Sequence, residues 1–310
     1  SGDDPGSLKG PNLCSAWIDE PFLQDEEVFK QMTARIRDPR AKYKELLLTG
    51  TPEELNWGYD ICEGDKARPD LELVQASTYD NLALDAEYAA GMCLGFDEQA
   101  IKAFLNGQFV PLTTGTVYRA FSSDNEIDDA GSIPNELIIG VDFNVDFMSV
   151  VICFEDEDGE LIQFDEFQAK GSDTAGAMQE LIVRQPEATF DVYPDSTGGS
   201  RSTKGTTDFA IIRDTLGDRL TSLNYPSKNP PLRDRFNAVN AKCKNATGQV
   251  GYRVTKNCTE TIKDLKLITH PYDQYKKKNE PKGRVHLSDG LGYIIHRRYP
   301  VGGKPRIEIR

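Results

Sequence analysis

Three aspartates carry the first chemical signal in this sequence. Asp142 closes the apolar run Leu137-Ile-Ile-Gly-Val141, where an ionised carboxylate is costly unless it has a partner. Asp195 follows a second apolar run, residues 188–193, and precedes Ser196-Thr197-Gly198-Gly199, small residues that admit close approach of a ligand or backbone. Asp289 opens a helical pattern after His286 and Ser288. Three such acids brought together repel, and bound divalent cations are the usual remedy. Two cations ~4 Å apart clamp the attacking and leaving oxygens of a phosphodiester. Oxygen-only donors favour Mg²⁺ or Mn²⁺ over zinc. Asp146 and Glu166 are further candidates. Taken singly, Asp195 and Asp146 also fit turns, Asp289 fits an ordinary first-turn acid, and Glu166 fits a solvent-facing strand position. Asp142 is the hardest to explain as structure.

The elements that must position these acids are readable in outline. Leu137–Phe143, Met148–Phe154, Leu161–Phe167 and Ala188–Tyr193 read as strands, with the Asp158-Gly159 pair marking a hairpin. Helices are expected over Asp173–Arg184, near Thr207–Leu216, from Pro231 through Val239, over Thr259–Leu267, and from a Ser288 cap through Gly292 to Arg297. A short strand is expected near Leu220–Tyr225. This order suits a mixed sheet with helices on its faces, and if the first and fourth strands are neighbours their carboxyl ends carry Asp142 and Asp195 side by side. Ahead of it, residues 122–134 are polar and acidic with Gly and Pro, the best linker candidate. Asn12–Ile18 and Leu46–Thr49 read as strands, Arg35–Glu45 as helical, and residues 82–105 as a helix.

The charge is segregated. Residues 1–133 carry 11 basic and 25 acidic side chains, residues 134–218 carry 5 and 18, and residues 219–310 carry 20 and 7, a local excess of +13 in a chain of net charge −14. A basic field of that size acts on phosphates within ~8 Å at physiological salt. Its densest part is Lys276, Lys277, Lys278, Lys282 and Arg284; a lone Lys run is equally well a solvated loop. The six cysteines form no CxxC pair and read as reduced thiols. No apolar stretch approaches a membrane span, and the start, Ser-Gly-Asp-Asp-Pro-Gly, lacks Met and has neither the basic nor the apolar part of a signal peptide.

Taken together the motifs resemble a known family. Gly140-Val-Asp142-Phe-Asn, Val192-Tyr-Pro-Asp195 and His286-Leu-Ser-Asp289-Gly-Leu-Gly-Tyr293 resemble the three acidic motifs of the nuclease domain of tailed-bacteriophage large terminase subunits. Asn229-Pro-Pro-Leu-Arg233-Asp-Arg235-Phe-Asn-Ala-Val-Asn240 is similar to a basic helix of that family, and Cys258–Leu265 to the segment before the third motif. Nearer the start, Ala16-Trp-Ile-Asp19-Glu20-Pro resembles the Walker B strand of the packaging ATPase. Leu48-Thr49-Gly50-Thr51-Pro52 resembles its coupling motif, and Gln75–Asn81 a later ATPase segment. One departure matters: no G-x-x-x-x-G-K-[ST] loop occurs anywhere.

The resemblance implies an α/β protein: the later part of a P-loop ATPase domain without Walker A (1–121), a linker (122–134) and a ribonuclease H-like, mixed-sheet nuclease domain (135–310). It implies an endonuclease that cuts concatemeric double-stranded DNA during viral packaging, with Asp142, Asp195 and Asp289 holding two Mg²⁺ or Mn²⁺ ions. Asp19 would lie near the nucleotide's magnesium, Glu20 would activate water, and Thr49, Gly50 and Thr51 would couple hydrolysis to movement. ATP would act only if a phosphate-binding loop, upstream in the family, were supplied. Arg233, Arg235 and the basic run 276–284 would hold the DNA backbone. The implied partners are DNA, a small terminase subunit and a portal protein, in the cytoplasm of an infected bacterium, with no membrane. A resolvase- or transposase-type nuclease of the same fold, and a non-catalytic DNA-gripping or portal-docking module, are the alternatives.

Overall fold

In the computed structural model of this protein, residues 8, 10–52, 55–64, 66–84, 86–112, 115–143, 147–199, 206–269 and 286–300 are described. The chain forms two compact units, Ser1–Ala89 with Gln99–Thr113, and Ala90–Glu98 with Thr114–Arg310.

In the first unit, β1 (Ser15–Asp19) and β2 (Glu45–Thr49) pair in parallel with Asp19 opposite Thr49. Between them, α1 (Glu26–Arg35) starts where the Asp25 carboxylate accepts the Glu27 N–H at 2.8 Å, with acids in its first turn and Arg35 in its last. The stretch 35–45, expected to be helical, is not. A residue before proline is kept out of the helical region, and at Asp38-Pro39 the Asp38 carboxylate instead takes the Arg40 N–H at 2.9 Å and its guanidinium at 2.7 Å. α2 (Trp57–Cys62) begins at Asn56, and its Trp57 stacks on Phe29 at 5.3 Å. The expected helix 82–105 is two helices, α3 (Ala86–Gly95) and α4 (Glu98–Phe104). The break follows Gly95, where Asp97 turns inward to meet Arg119 at 2.7 Å.

The second unit is built on a seven-stranded sheet. Its strands are β3 (Glu126–Ile127), β4 (Glu136–Asp142), β5 (Phe147–Glu155), β6 (Leu161–Lys170), β7 (Thr189–Pro194), β8 (Leu220–Leu223) and β9 (Tyr252–Thr255), in the order β3-β9-β6-β5-β4-β7-β8. β4, β5 and β6 form an antiparallel meander, while β4–β7, β7–β8, β6–β9 and β3–β9 are parallel. The helices are α5 (Thr174–Arg184), α6 (Asp208–Leu216), α7 (Leu232–Cys243), α8 (Thr259–Leu267) and α9 (His286–Arg298). Side chains alternate across a strand. Leu137, Ile139 and Val141 of β4 accordingly pack with Met178, Leu181 and Ile212 of α5 and α6, whereas Ile138 packs on the other face with Val239, Leu265, Leu291 and Ile294.

Of residues 122–134, expected as a linker, 122–127 are built into the second unit and 128–134 carry no helix or strand. A turn at Ser123–Asn125 leads directly into β3, the edge strand beside β9. Two buried asparagines stitch the chain ahead of the sheet onto α7 and β9. Asn240 accepts the Ala120 N–H at 3.0 Å and donates to the Val117 carbonyl at 2.9 Å. Asn125 donates to the carbonyls of Cys243 at 2.9 Å and Tyr252 at 2.8 Å. The polar composition that suggests a linker is thus partly the composition of an internal hydrogen-bonded seam. All six cysteines are free thiols. No helix among the described residues is long and apolar enough to cross a membrane.

The last helix lies directly on the central strand. A Cβ placed on Gly140 would stand 2.2 Å from the Gly290 carbonyl oxygen and 2.7 Å from its carbon. Here α9 and β4 touch backbone to backbone, which only glycine permits.

Two measurements check this packing. Asn125→Ala strands two buried carbonyls and should lower unfolding free energy by about 2–3 kcal/mol in urea titration. Gly140→Ala forces a methyl into backbone and should cost about 3 kcal/mol or more. Loss of the tyrosine near-ultraviolet dichroism ahead of the main transition would report α9 lifting off the sheet.

Candidate active site

The three aspartates come together for three separate reasons. Asp142 ends β4, and the parallel register that pairs Gly140 with Tyr193 and Val141 with Pro194 continues to bring Asp195 beside it. The Asp195 N–H closes that register on the Val141 carbonyl at 3.2 Å. Asp142 shares a face with Gly140 and Ile138, the face that α9 covers. Asp289 precedes Gly290, the residue that touches β4, so the glycine contact delivers the third acid.

Each carboxylate is held by named donors. Asp142 is 6% exposed; its Oδ2 meets His286 Nδ1 at 2.8 Å and its Oδ1 accepts the Tyr293 hydroxyl at 3.4 Å. Asp195 is 3% exposed, and its Oδ1 accepts both the N–H and the hydroxyl of Thr197 at 2.5 Å while Oδ2 accepts the Phe143 N–H at 3.3 Å. Asp289 accepts Arg235 Nη2 at 2.6 Å, and Arg235 is itself 4% exposed. Burial, reinforced by the charge of Asp142, pushes the Asp195 carboxyl above its usual range against the Thr197 bonds. Burial likewise pushes Asp289 up, to about 7, with Asp142 adding to it and Arg235 opposing. Burial also raises the Tyr293 hydroxyl, which keeps its proton and stays a donor.

Small residues make this density possible. A Cβ on Gly198 would stand 2.3 Å from Phe143 and 2.7 Å from Phe209, so the turn Ser196–Gly199 can fold tightly behind Asp195. A Cβ on Gly292 would stand 2.7 Å from Cγ of Arg235 and 2.8 Å from its Cδ. That glycine is the passage through which Arg235 reaches Asp289.

Other expected residues fall elsewhere. Glu166 accepts the N–H groups of Glu260 at 2.8 Å and Thr261 at 3.0 Å, so it caps α8 instead of joining the aspartates. A helix start leaves N–H groups unsatisfied, and Glu166 supplies their acceptor. Arg235, expected on the DNA backbone, is buried and paired with Asp289. Arg233 is half-buried in the first turn of α7. Asp146, Lys276, Lys277, Lys278, Lys282 and Arg284 lie outside the described residues. α9 begins at His286, ahead of the expected Ser288 cap. His286 and Tyr293 are not among the site residues expected from the sequence, yet their spacing from Asp289, three before and four after, sets all three on one helix face.

Among the described residues no three acids, histidines or cysteines stand close enough together to enclose a metal ion. The donor chemistry nonetheless fits a hard divalent cation: two buried carboxylates repelling each other, a third nearby, and oxygen as the only anionic donor type.

The first unit carries a second constellation. Thr49 donates its hydroxyl to Asp19 at 2.8 Å and accepts from Trp17 Nε1 at 2.7 Å. Glu20 has a left-handed backbone, φ 47°, and its carboxylate accepts the Thr51 N–H at 3.2 Å. A Cβ on Gly50 would stand 3.1 Å from both the Glu20 carboxylate and the Pro21 ring. Asp19, Glu20, Thr49, Gly50 and Thr51 are therefore one interlocked group.

No family model matches the sequence, and no curated protein matches it. Solved structures do match. The large terminase of a thermophilic bacteriophage aligns in one crystal form over 96% of this chain and 72% of its own, at 16% identity and a TM-score of 0.57. Another crystal form of the same terminase aligns over 93% and 70%, at 17% identity and 0.58. Its complex with ADP aligns over 94% and 71%, at 15% identity and 0.57. The chain thus has the α/β fold of that large terminase, with a mixed seven-stranded sheet in its second unit.

Proposed function

We propose that this protein is a nuclease of terminase type, a metal-dependent endonuclease that cuts concatemeric double-stranded viral DNA, joined to part of a packaging ATPase. The observation that carries the reading is the placing of Asp142 beside Asp195 at two parallel strand ends, with Asp289 on the last helix where it touches the same strand. Asp142, Asp195 and Asp289 would hold two Mg²⁺ or Mn²⁺ ions. Such ions supply Lewis-acid activation of water and neutralise the departing 3′ oxygen. The protein's part is to aim the acids. His286 and Tyr293 orient Asp142, Thr197 and the Phe143 N–H orient Asp195, and Arg235 orients Asp289. Asp146 stays a weaker ligand candidate.

Lys276, Lys277, Lys278, Lys282, Arg284 and Arg233 would bind phosphates with little reading of base sequence. A small terminase subunit and a portal protein would be the partners, in the cytoplasm of an infected bacterium. The Asp19–Thr49 and Glu20–Thr51 group would be the remnant of the nucleotide site, and with no phosphate-binding loop in the sequence we expect no ATP turnover by this chain alone.

The test is DNA cleavage. Linear or plasmid DNA should be cut with Mn²⁺ or Mg²⁺ and left intact in EDTA. Asp142→Asn should fold normally and lose cleavage by roughly 10³-fold, the scale of removing one oriented charge from a reacting centre. Cleavage that survives chelation, or a near wild-type rate in Asp142→Asn, would sink the reading. Replacing Lys276, Lys277 and Lys278 with Ala should weaken binding to all sequences alike. It should also flatten the plot of log K against log salt by about one unit for each phosphate no longer neutralised. An unchanged slope would make that run a solvated loop.

A further inference from the structure

Arg235 is an unusual side chain for a helix buried under a sheet. It is 4% exposed, it crosses α9 through the gap at Gly292, and its guanidinium lies 4.6 Å from the centre of the Tyr293 ring. Its Nη2 donates to Asp289 at 2.6 Å, while its Nε is buried with no acceptor among the described residues. The same Tyr293 reaches Asp142 through its hydroxyl, so Arg235 holds one acid directly and shares a neighbour with a second. Arg235 is the fixed cation of the group, and it occupies the one carboxylate that comes from a helix instead of a strand end.

We propose that Arg235 makes cation binding and DNA binding at this site depend on each other. The proposal rests on the reading of Asp142, Asp195 and Asp289 as metal ligands. A cation bound through Oδ1 of Asp289 takes the oxygen that Arg235 holds, and Arg235 must then give it up. A buried guanidinium that loses its carboxylate is an uncompensated charge, which is strongly unfavourable. An incoming anion removes that penalty. A DNA phosphate is the anion that the site would receive, its oxygens match the planar fork of a guanidinium, and Nε is a donor already waiting for an acceptor. Asp289 would pass from Arg235 to the cation as the phosphate passes onto Arg235. Arg235 is then a positioning residue that keeps the cation site weak until DNA arrives.

The experiment measures Mn²⁺ binding by electron paramagnetic resonance of the free ion, with the full chain, with and without a short phosphorothioate duplex that resists cleavage. In the wild-type protein the duplex should tighten Mn²⁺ binding by about tenfold or more, a coupling of ordinary allosteric size. Arg235→Met removes the charge and keeps the stem. It should bind Mn²⁺ about tenfold more tightly than wild type without DNA, and the duplex should then tighten that binding by clearly less than it does in wild type, which is loss of the part of the coupling that Arg235 carries. Arg235→Lys keeps a cation and should retain part of the coupling. Arg235→Gln serves as the neutral variant if thermal unfolding shows that the methionine form does not fold. Coupling as large in the neutral variants as in wild type, or Mn²⁺ affinity no higher than wild type in them, overturns the proposal. Asp142→Asn and Asp195→Asn are the separate control. If they bind Mn²⁺ as wild type does, the metal reading itself has failed, whatever Arg235 does.

Discussion

The contact between Gly140 and Gly290 sets the geometry of the second unit. Helices usually pack on sheets through their side chains, which hold the helix axis well away from the strand. Here the two backbones meet, and a single added methyl would collide with a carbonyl at 2.2 Å. The helix is drawn down onto the one strand that ends in Asp142, and Asp289 arrives because it precedes the touching glycine. The apolar flanks of the contact, Leu287, Leu291, Ile294 and Ile295, are all buried and pack with α7 and α8, so burial of a full helix face holds the close approach. Gly292, two residues further on, is needed for a different neighbour: it lets Arg235 through. The Gly-Leu-Gly sequence after Asp289 is therefore two clearances with a core residue between them.

That approach concentrates negative charge where water is scarce. Asp142 and Asp195 are nearly sealed from solvent, and the Asp142 charge raises the proton affinity of both its neighbours. The fold offsets the repulsion in three ways. Backbone and hydroxyl donors serve Asp195, an imidazole and a phenol serve Asp142, and a guanidinium serves Asp289. Only the last carries a permanent charge. The group is thus held by hydrogen bonds that survive a change of partner, plus one ion pair that is directly competitive with a cation. Glu166 shows the contrast. It is also a half-buried carboxylate on a central strand, but two helix N–H groups satisfy it, and it has become structure.

The acids themselves are readable because a charged residue at the end of an apolar run is expensive, and that cost is visible in a sequence. The order of elements suits a mixed sheet but leaves the pairing of the first and fourth strands as a condition, and the Asp-Gly turn marks one hairpin of the meander. What cannot be read is anything decided by a long-range partner. Arg235 looks like any basic residue on an exposed helix until Gly292 and Asp289, more than fifty residues away, are placed beside it. Residues 122–134 look like a linker because the one buried residue among them, Asn125, finds its carbonyls on α7 and β9. The strands β3 and β9 are two and four residues long, too short to show a period. The helix expected over 35–45 fails for a local reason that the sequence does contain: Asp38-Pro39 forbids it.

The two units reach their candidate chemistry by the same route. Parallel strands place their carboxyl ends together, and the residues just beyond those ends become neighbours without any loop having to be built for the purpose. In the second unit this joins Asp142 of β4 to Asp195 after β7. In the first it joins Asp19 of β1 to Thr49 of β2, at a register of equal offset along both strands, and carries Glu20 to Thr51 one step further on. The difference lies in what covers the strand ends. In the second unit a helix comes down on them and seals the acids, and burial raises the proton affinity of Asp195. In the first unit Asp19 remains exposed, and the acid is steadied by a neutral hydroxyl. An exposed acid needs no resident cation, because water screens it. A sealed pair has no such screening, and this chain surrounds it with donors while the arginine reaching through the glycine gap holds the third acid.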